Sequence, residues 1–240
     1  MLHSNIVIPN PSAHTYPDEM PTEFSTLLID PPWDIQQKGK YGAASHYDLM
    51  TMKEIKALPI NELLTDNACV WLWITNAIIP YVGEILKAWG LTYRSNYTWC
   101  KTKTGLGIYL RNSTEHLVLA TKGKVKLLFH GQISYGFFPV QDHSHKPEEI
   151  YPMIERCYFG PYLELFGRQR FPFWYVWGNE IPSDIAVENQ PVPEYTEHAR
   201  EWLTKKLAEA TDPEQIKKYE AMLADVTKKL TNPESEVKNE

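Results

Sequence analysis

Cysteine is scarce in this 240-residue sequence: Cys69, Cys100 and Cys157 lie far apart and form no CxxC pair. An odd, scattered set argues against a disulfide framework and against a structural zinc site, and fits reduced thiols in a cytoplasmic protein. No uninterrupted apolar run approaches the roughly 18 residues that a membrane-spanning helix needs, so no membrane association is expected. The first 20 residues are polar and contain prolines, without the basic-then-apolar layout of a signal peptide. There is no internal repeat. His143 and His145 stand close together, but no further ligand cluster accompanies them, and no metal site is expected. Excess positive charge is also lacking, since 24 Lys and Arg face 30 Asp and Glu for a net charge of −6.

That balance is uneven along the chain. Residues 181–240 hold 8 basic against 13 acidic side chains, whereas 101–126 hold Lys101, Lys103, Arg111, Lys122, Lys124 and Lys126 against Glu115 alone. This is the clearest basic stretch, and a candidate phosphate-binding surface. A solvated lysine-rich hairpin is the plainer alternative.

The pattern of apolar runs and turn residues predicts strands at 26–29, 69–74, 93–99, 116–120, 162–166 and 173–177. It predicts helices from a Thr51 cap to about Leu58, from Asn76 to Trp89 with Gly90 just beyond, and over 148–157 behind Pro147. Strands alternating with helices imply an α/β fold with a mostly parallel sheet covered on both faces. Residues 1–25 read as an arm, 26–180 as the folded domain and 181–195, with three prolines, as a linker. Residues 196–240 read as a helical hairpin, its second helix marked by Ile216, Tyr219, Leu223, Val226 and Leu230, and suited to packing or dimerisation.

The most informative residues are Asp30-Pro31-Pro32-Trp33, directly after the first buried strand. Ligands of doubly wound sheets bind at the carboxyl ends of the strands, where this tetrapeptide falls. An adenine amino group is a poor nucleophile because its lone pair is delocalised into the ring. The Asp30 carboxylate and the Pro31 carbonyl can each accept one of its N–H groups, favouring the geometry in which that lone pair attacks. Pro31 and Pro32 fix the turn and remove competing donors. The flat Trp33 is suited to stacking on an extruded base. A stiff strand-end turn is the structural alternative. Further on, Lys146 precedes a helix, Glu164-Leu165-Phe166-Gly167-Arg168 puts charge and a glycine at a strand end, and Trp177-Gly178-Asn179-Glu180 closes the domain.

In this order, together with Trp71-Leu72-Trp73-Ile74-Thr75-Asn76, Trp99-Cys100-Lys101, Thr114-Glu115-His116 and Ser144-His145-Lys146-Pro147, these segments resemble the N6-adenine methyltransferases typified by the seventy-kilodalton catalytic subunit of the eukaryotic mRNA adenosine methyltransferase. The resemblance runs from about Thr26 to Glu180. It implies a Rossmann-like fold in the permuted motif order and S-adenosylmethionine as methyl donor. It further implies that Asp30, Lys146, Glu164, Arg168, Arg170, Asn179 and Glu180 contact the cofactor. Tyr41, Glu115 and His145 are implied to sit near the substrate base, with Lys101, Arg111, Lys122 and Lys124 as substrate contacts from the basic stretch. The expected reaction is direct methyl transfer to an extruded adenine of DNA, with RNA as the alternative nucleic acid. A different alternative is a catalytically silent nucleic-acid-binding subunit. A homodimer or a related partner subunit is a further expectation.

Overall fold

The computed structural model describes residues 21–34, 49–105, 109–141, 145–178, 181 and 183–187, with scattered helical positions between 200 and 227. Tyr41, Asn179 and Glu180 lie outside the described residues, as does most of the expected C-terminal hairpin.

The chain forms β1 (Phe24–Ile29), α1 (Met52–Lys56), β2 (Leu64–Ile74), α2 (Val82–Ala88), β3 (Thr92–Lys101), β4 (Thr114–Lys122), β5 (Tyr135–Phe138), α3 (Ile150–Cys157), β6 (Tyr162–Leu165) and β7 (Trp174–Trp177). The strand order is β5-β3-β4-β2-β1-β6-β7. Contacts divide the chain into two compact units, one through Leu163 and one from Glu164 onward.

Within the first unit β1 pairs parallel with β2, and β3 parallel with β5. β4 runs antiparallel to both β2 and β3. The sheet is therefore mixed, with β4 reversed where strand–helix alternation had suggested another parallel strand. The cause is local: only a loop joins β3 to β4, so β4 returns as a hairpin. That reversal brings the first residues of β4, not its last, to the end of the sheet where β1 stops at Asp30.

Local sequence accounts for the other elements. All residues from Ala68 to Ile74 are buried without alternation, as expected of a central strand covered on both faces. Thr51 caps α1 in a complete capping box with Glu54, the helix start expected from Thr51-x-x-Glu54. α2 ends in a Schellman motif: Leu91 N–H donates to Leu86 O (2.8 Å), Gly90 N–H donates to Lys87 O (3.2 Å), and Gly90 takes φ +69°. The helix expected from Asn76 onward begins later, after a 3₁₀ turn at Ile79–Tyr81, because Pro80 suits a helix start and not its interior. β5 was not expected from sequence; its four residues are too few to show a period, and Tyr135 and Phe137 are exposed on an edge strand.

Candidate active site

β1 ends because Pro31 and Pro32 cannot continue the ladder. Trp33 then folds back, its N–H donating to Pro31 O at 2.9 Å, while Met50 N–H donates to Pro32 O at 2.8 Å. The turn is therefore held from both sides, and Asp30 sits at its root. The register Ile29↔Leu72 sets Asp30 beside Trp73, and Trp73↔Leu117 and Trp99↔Glu115 continue the row across β4 and β3.

Four charged side chains meet over this row. Lys146 Nζ donates to Asp30 Oδ2 at 2.7 Å and lies 3.4 Å from Glu115 Oε2. Lys101 Nζ forms a short ion pair with Glu115 Oε1. Positive and negative groups thus alternate as Lys101, Glu115, Lys146, Asp30. Their side chains are only 17–21% exposed, so solvent screens these pairs poorly. Both ammonium groups also stand over tryptophan rings. Lys101 lies 4.7 Å from the Trp99 centroid and Lys146 5.5 Å from that of Trp73. The two rings pack edge-to-face, with centroids 6.2 Å apart. Burial pushes the Glu115 carboxyl up, but Lys146 and then Lys101 outweigh it and hold the group below the ordinary carboxylate range.

Behind Glu115 lies a neutral network. His116 Nε2 is 2.8 Å from Asn76 Oδ1, while Nδ1 is 3.1 Å from Thr98 Oγ1 and 3.3 Å from Asn96 Nδ2. The consistent assignment has Nε2–H donating to Asn76 and Nδ1 accepting. Burial, more than the opposing pull of Glu115, lowers the His116 pKa and favours this neutral imidazole. Both shifts have the same consequence for stability. Each folded-state value lies below the unfolded one, so each contribution is complete above the ordinary pKa and lost as pH falls. The His116 contribution starts to be lost below 6.5, and that of Glu115 below 4.5. We expect urea midpoints to decline in two stages on acidification. His116→Gln should remove the first stage and Glu115→Gln the second; a variant that keeps its stage would refute the assignment for that residue.

The other sequence-selected residues fall into distinct groups. His145 Nε2 is 3.8 Å from Glu148 Oε1, next to Lys146. In the second unit, Glu164 is buried and Arg168 half-buried. A Cβ on Gly167 would come within 3.1 Å of Glu164 Oε2 and 2.3 Å of Val176, and one on Gly178 within 2.0 Å of Gly167 O. These two glycines therefore allow backbone approach that no other residue permits. Phe166 beside them takes φ 64°, an uncommon conformation for a non-glycine residue.

Several expectations need correction. Trp33 does not present an open stacking face: it is 8% exposed and its indole N–H donates to Trp73 O at 3.2 Å, so it secures the turn. Lys101 is not an outward phosphate contact, being paired with Glu115. Lys122 lies at the opposite end of β4, where its ammonium donates to Asn61 O (3.0 Å) and Leu64 O (2.9 Å). Lys124 follows it there, its N–H donating to Asn67 Oδ1 at 2.7 Å. The basic stretch is contiguous in sequence but is split between two ends of a strand. Arg170 donates to both oxygens of Asp184, at 2.8 and 3.0 Å, and is tied to that loop. Arg111 remains exposed at the site end of the hairpin. Accordingly, Arg111→Ala should flatten the logarithmic salt dependence of nucleic-acid binding by about 0.7 for single strands or 0.9 for duplex. Lys122→Ala should leave that slope unchanged; a slope altered by Lys122 alone would restore the far end as the binding surface.

Sequence reasoning missed Trp73, Trp99, Asn76 and Asp184. The two tryptophans had a usable signal: Trp71/Trp73 and Trp99/Lys101 keep the two-residue period that places them on one sheet face. Asp184 had none, because its partners Arg170 and Val176 meet it only through the turn of the chain.

This geometry defines a class: an α/β protein whose reactive carboxylate stands at a strand end, held by a lysine and followed by a rigid proline turn. The chain belongs to the MT-A70 family, whose model matches residues 24–180. It is 33% identical over 191 residues to the human N(6)-adenosine-methyltransferase catalytic subunit METTL3, covering 72% of this chain and 32% of that protein. It is 31% identical over 185 residues to the N(6)-adenosine-methyltransferase MT-A70-like protein of Drosophila melanogaster, covering 72% of this chain and 29% of that protein. Identity to the Type II methyltransferase M.MunI of Mycoplasma sp is 23% over 205 residues, 75% of this chain and 88% of that protein. The chain thus spans about a third of the length of the first two relatives. MT-A70 methyltransferases use S-adenosylmethionine as methyl donor.

Proposed function

We propose that this chain is an S-adenosylmethionine-dependent N6-adenine methyltransferase acting on DNA. The observation that carries the reading is Asp30, fixed at the strand end with one oxygen on Lys146 and the rigid Pro31-Pro32 turn behind it. Lys146 uses Oδ2, and Oδ1 carries no protein partner among the described residues. That oxygen is the acceptor for one N–H of the substrate amino group. Pro31 O already accepts from Trp33 and, with two lone pairs, has capacity for the second.

The residues present fit the cofactor. Its amino-acid end needs a cation and a carboxylate, which Lys146 and Asp30 supply. Thr75 Oγ1, buried at the end of β2 without a hydrogen-bond partner, adds a polar group seeking one. Glu164 and the close Gly167–Gly178 approach supply a carboxylate beside an uncluttered backbone. When bound, S-adenosylmethionine supplies an electrophilic methyl group on a sulfonium. The chain's own contribution is positioning and electrostatics: Asp30 and Pro31 hold the amino nitrogen, and the lysines keep the carboxylates ionised. No residue needs to form a covalent bond to substrate, and the amino proton leaves to solvent. The intact Asp30–Lys146 pair argues against the silent-subunit reading.

DNA is supported by the similarity to M.MunI, which extends over 88% of that protein. RNA is the second reading, supported by the higher identity, 31–33%, to the N(6)-adenosine-methyltransferases. Incubation with labelled S-adenosylmethionine and separate DNA, RNA and protein substrates decides between them. Label at adenine N6 of DNA is the expected result. Label only in RNA would move the substrate, and label only in protein would overturn the reading.

A further inference from the structure

The loop between β3 and β4 ends in a segment whose foot is fixed and whose tip is open. At its foot Lys101 N–H donates to Ser113 O (2.7 Å) and Gly105 N–H to Asn112 O (2.6 Å). Asn112 is held a third way, because Asn76 Nδ2 donates to its Oδ1 at 3.1 Å. Asn76 in turn accepts from His116 Nε2, and His116 is braced by Thr98 and Asn96. A continuous hydrogen-bonded chain therefore runs from the sheet, through His116 and Asn76, to Asn112. Directly before Asn112 come Tyr109, 97% exposed, Leu110, 82% exposed, and an exposed Arg111. These are large apolar groups turned to water on an anchored base, next to the strand ends that carry Asp30 and Glu115. The charge complements a polyanion: Lys103 and Arg111 face outward, and no acidic residue occurs from 101 to 114.

We propose that the His116–Asn76–Asn112 chain is a positioning device that holds Tyr109, Leu110 and Arg111 against the nucleic-acid strand flanking the target adenine. Tyr109 and Leu110 offer surface for stacking or for filling the gap that base extrusion leaves, and Arg111 pairs with a phosphate. Asn76 and His116 act through the segment and touch no substrate. The proposal rests on the nucleic-acid reading above and adds which residues contact the strand and what fixes them.

The test measures oligonucleotide binding by fluorescence anisotropy and methyl transfer by KM and kcat, with cofactor affinity alongside. Tyr109→Ala with Leu110→Ala should weaken binding and raise KM about tenfold, with kcat and cofactor affinity within twofold of wild type. Asn76→Ala should raise KM in the same sense and add little in the background of the double substitution, the signature of a residue acting through the segment. Asn112→Ala tests the same link from the surface side if Asn76→Ala does not fold. Additive effects of Asn76→Ala, or a fall in kcat at unchanged KM, would overturn the positioning role. A change in sedimentation behaviour of the Tyr109/Leu110 variant with unchanged strand binding would assign the tip to a second protein copy and overturn the strand contact. Anisotropy does not depend on catalysis, so wild-type strand binding without adenine methylation would sink the activity reading alone.

Discussion

Asp30→Ala is expected to lower the turnover of methyl transfer by about 10²- to 10⁴-fold while leaving the fold intact, the range found when one positioned acid–base or electrostatic group is removed. The fold should survive because Lys146 keeps a partner: Glu115 Oε2 is 3.4 Å from its ammonium, so deleting Asp30 does not strand a cation. The substrate amino group, in contrast, loses the acceptor that orients it, and no other carboxylate stands at the end of β1. Asp30→Asn sharpens the test. The amide preserves volume and one acceptor oxygen but loses the charge and weakens the contact with Lys146. If charge on Asp30 matters, Asn should resemble Ala in kcat with circular dichroism and urea midpoint close to wild type. Activity within a few-fold of wild type in either variant would remove Asp30 from the mechanism.

Trp73→Ala should cost about 3–5 kcal/mol of unfolding free energy, the usual loss for truncating a buried large aromatic residue. Trp73 is 2% exposed on the central strand and makes three separate contributions. Its ring packs against Trp99, underlies Lys146, and its carbonyl accepts the Trp33 indole N–H. The carbonyl contact belongs to the backbone and survives substitution, so the loss comes from the ring alone. The variant should also lose methyl transfer in excess of its lost stability, because Lys146 is no longer supported above the sheet. Denaturant unfolding measures the first effect and kcat at a temperature where both proteins are folded measures the second. A loss below about 1 kcal/mol would mean that the neighbours close the space and that the ring is not the keystone of the cluster.

How legible this protein is from its sequence depends on the length scale over which each feature is encoded. The Thr51 cap, the end of β1 at two prolines and the stop of α2 at Gly90 are written within a few residues, and each stands where sequence placed it. The family motif order likewise fixed the family. What sequence did not yield depends on register across strands. Lys101 was grouped with Lys122 by proximity in sequence, yet they lie at opposite ends of a hairpin because β4 runs backwards. Trp33, adjacent to the reactive carboxylate in sequence, faces the core; Trp73 and Trp99, distant in sequence, carry the two cations. Arg170 met an acidic partner, Asp184, that no local pattern announced.

The reversed strand has one more consequence. Because β4 enters the site with its first residues and β3 with its last, everything from residue 102 to 113 hangs between two points that the Lys101–Ser113 hydrogen bond pins together. Lengthening or replacing that insert leaves Asp30, Glu115 and Lys146 where they are, since none of them hangs from it. Closing a longer loop costs little, about 0.6 kcal/mol for each doubling of its length. The architecture thus separates the reagent-handling parts from a graftable cartridge, and swapping this one segment between homologous chains is a direct way to exchange target preference without rebuilding the chemistry.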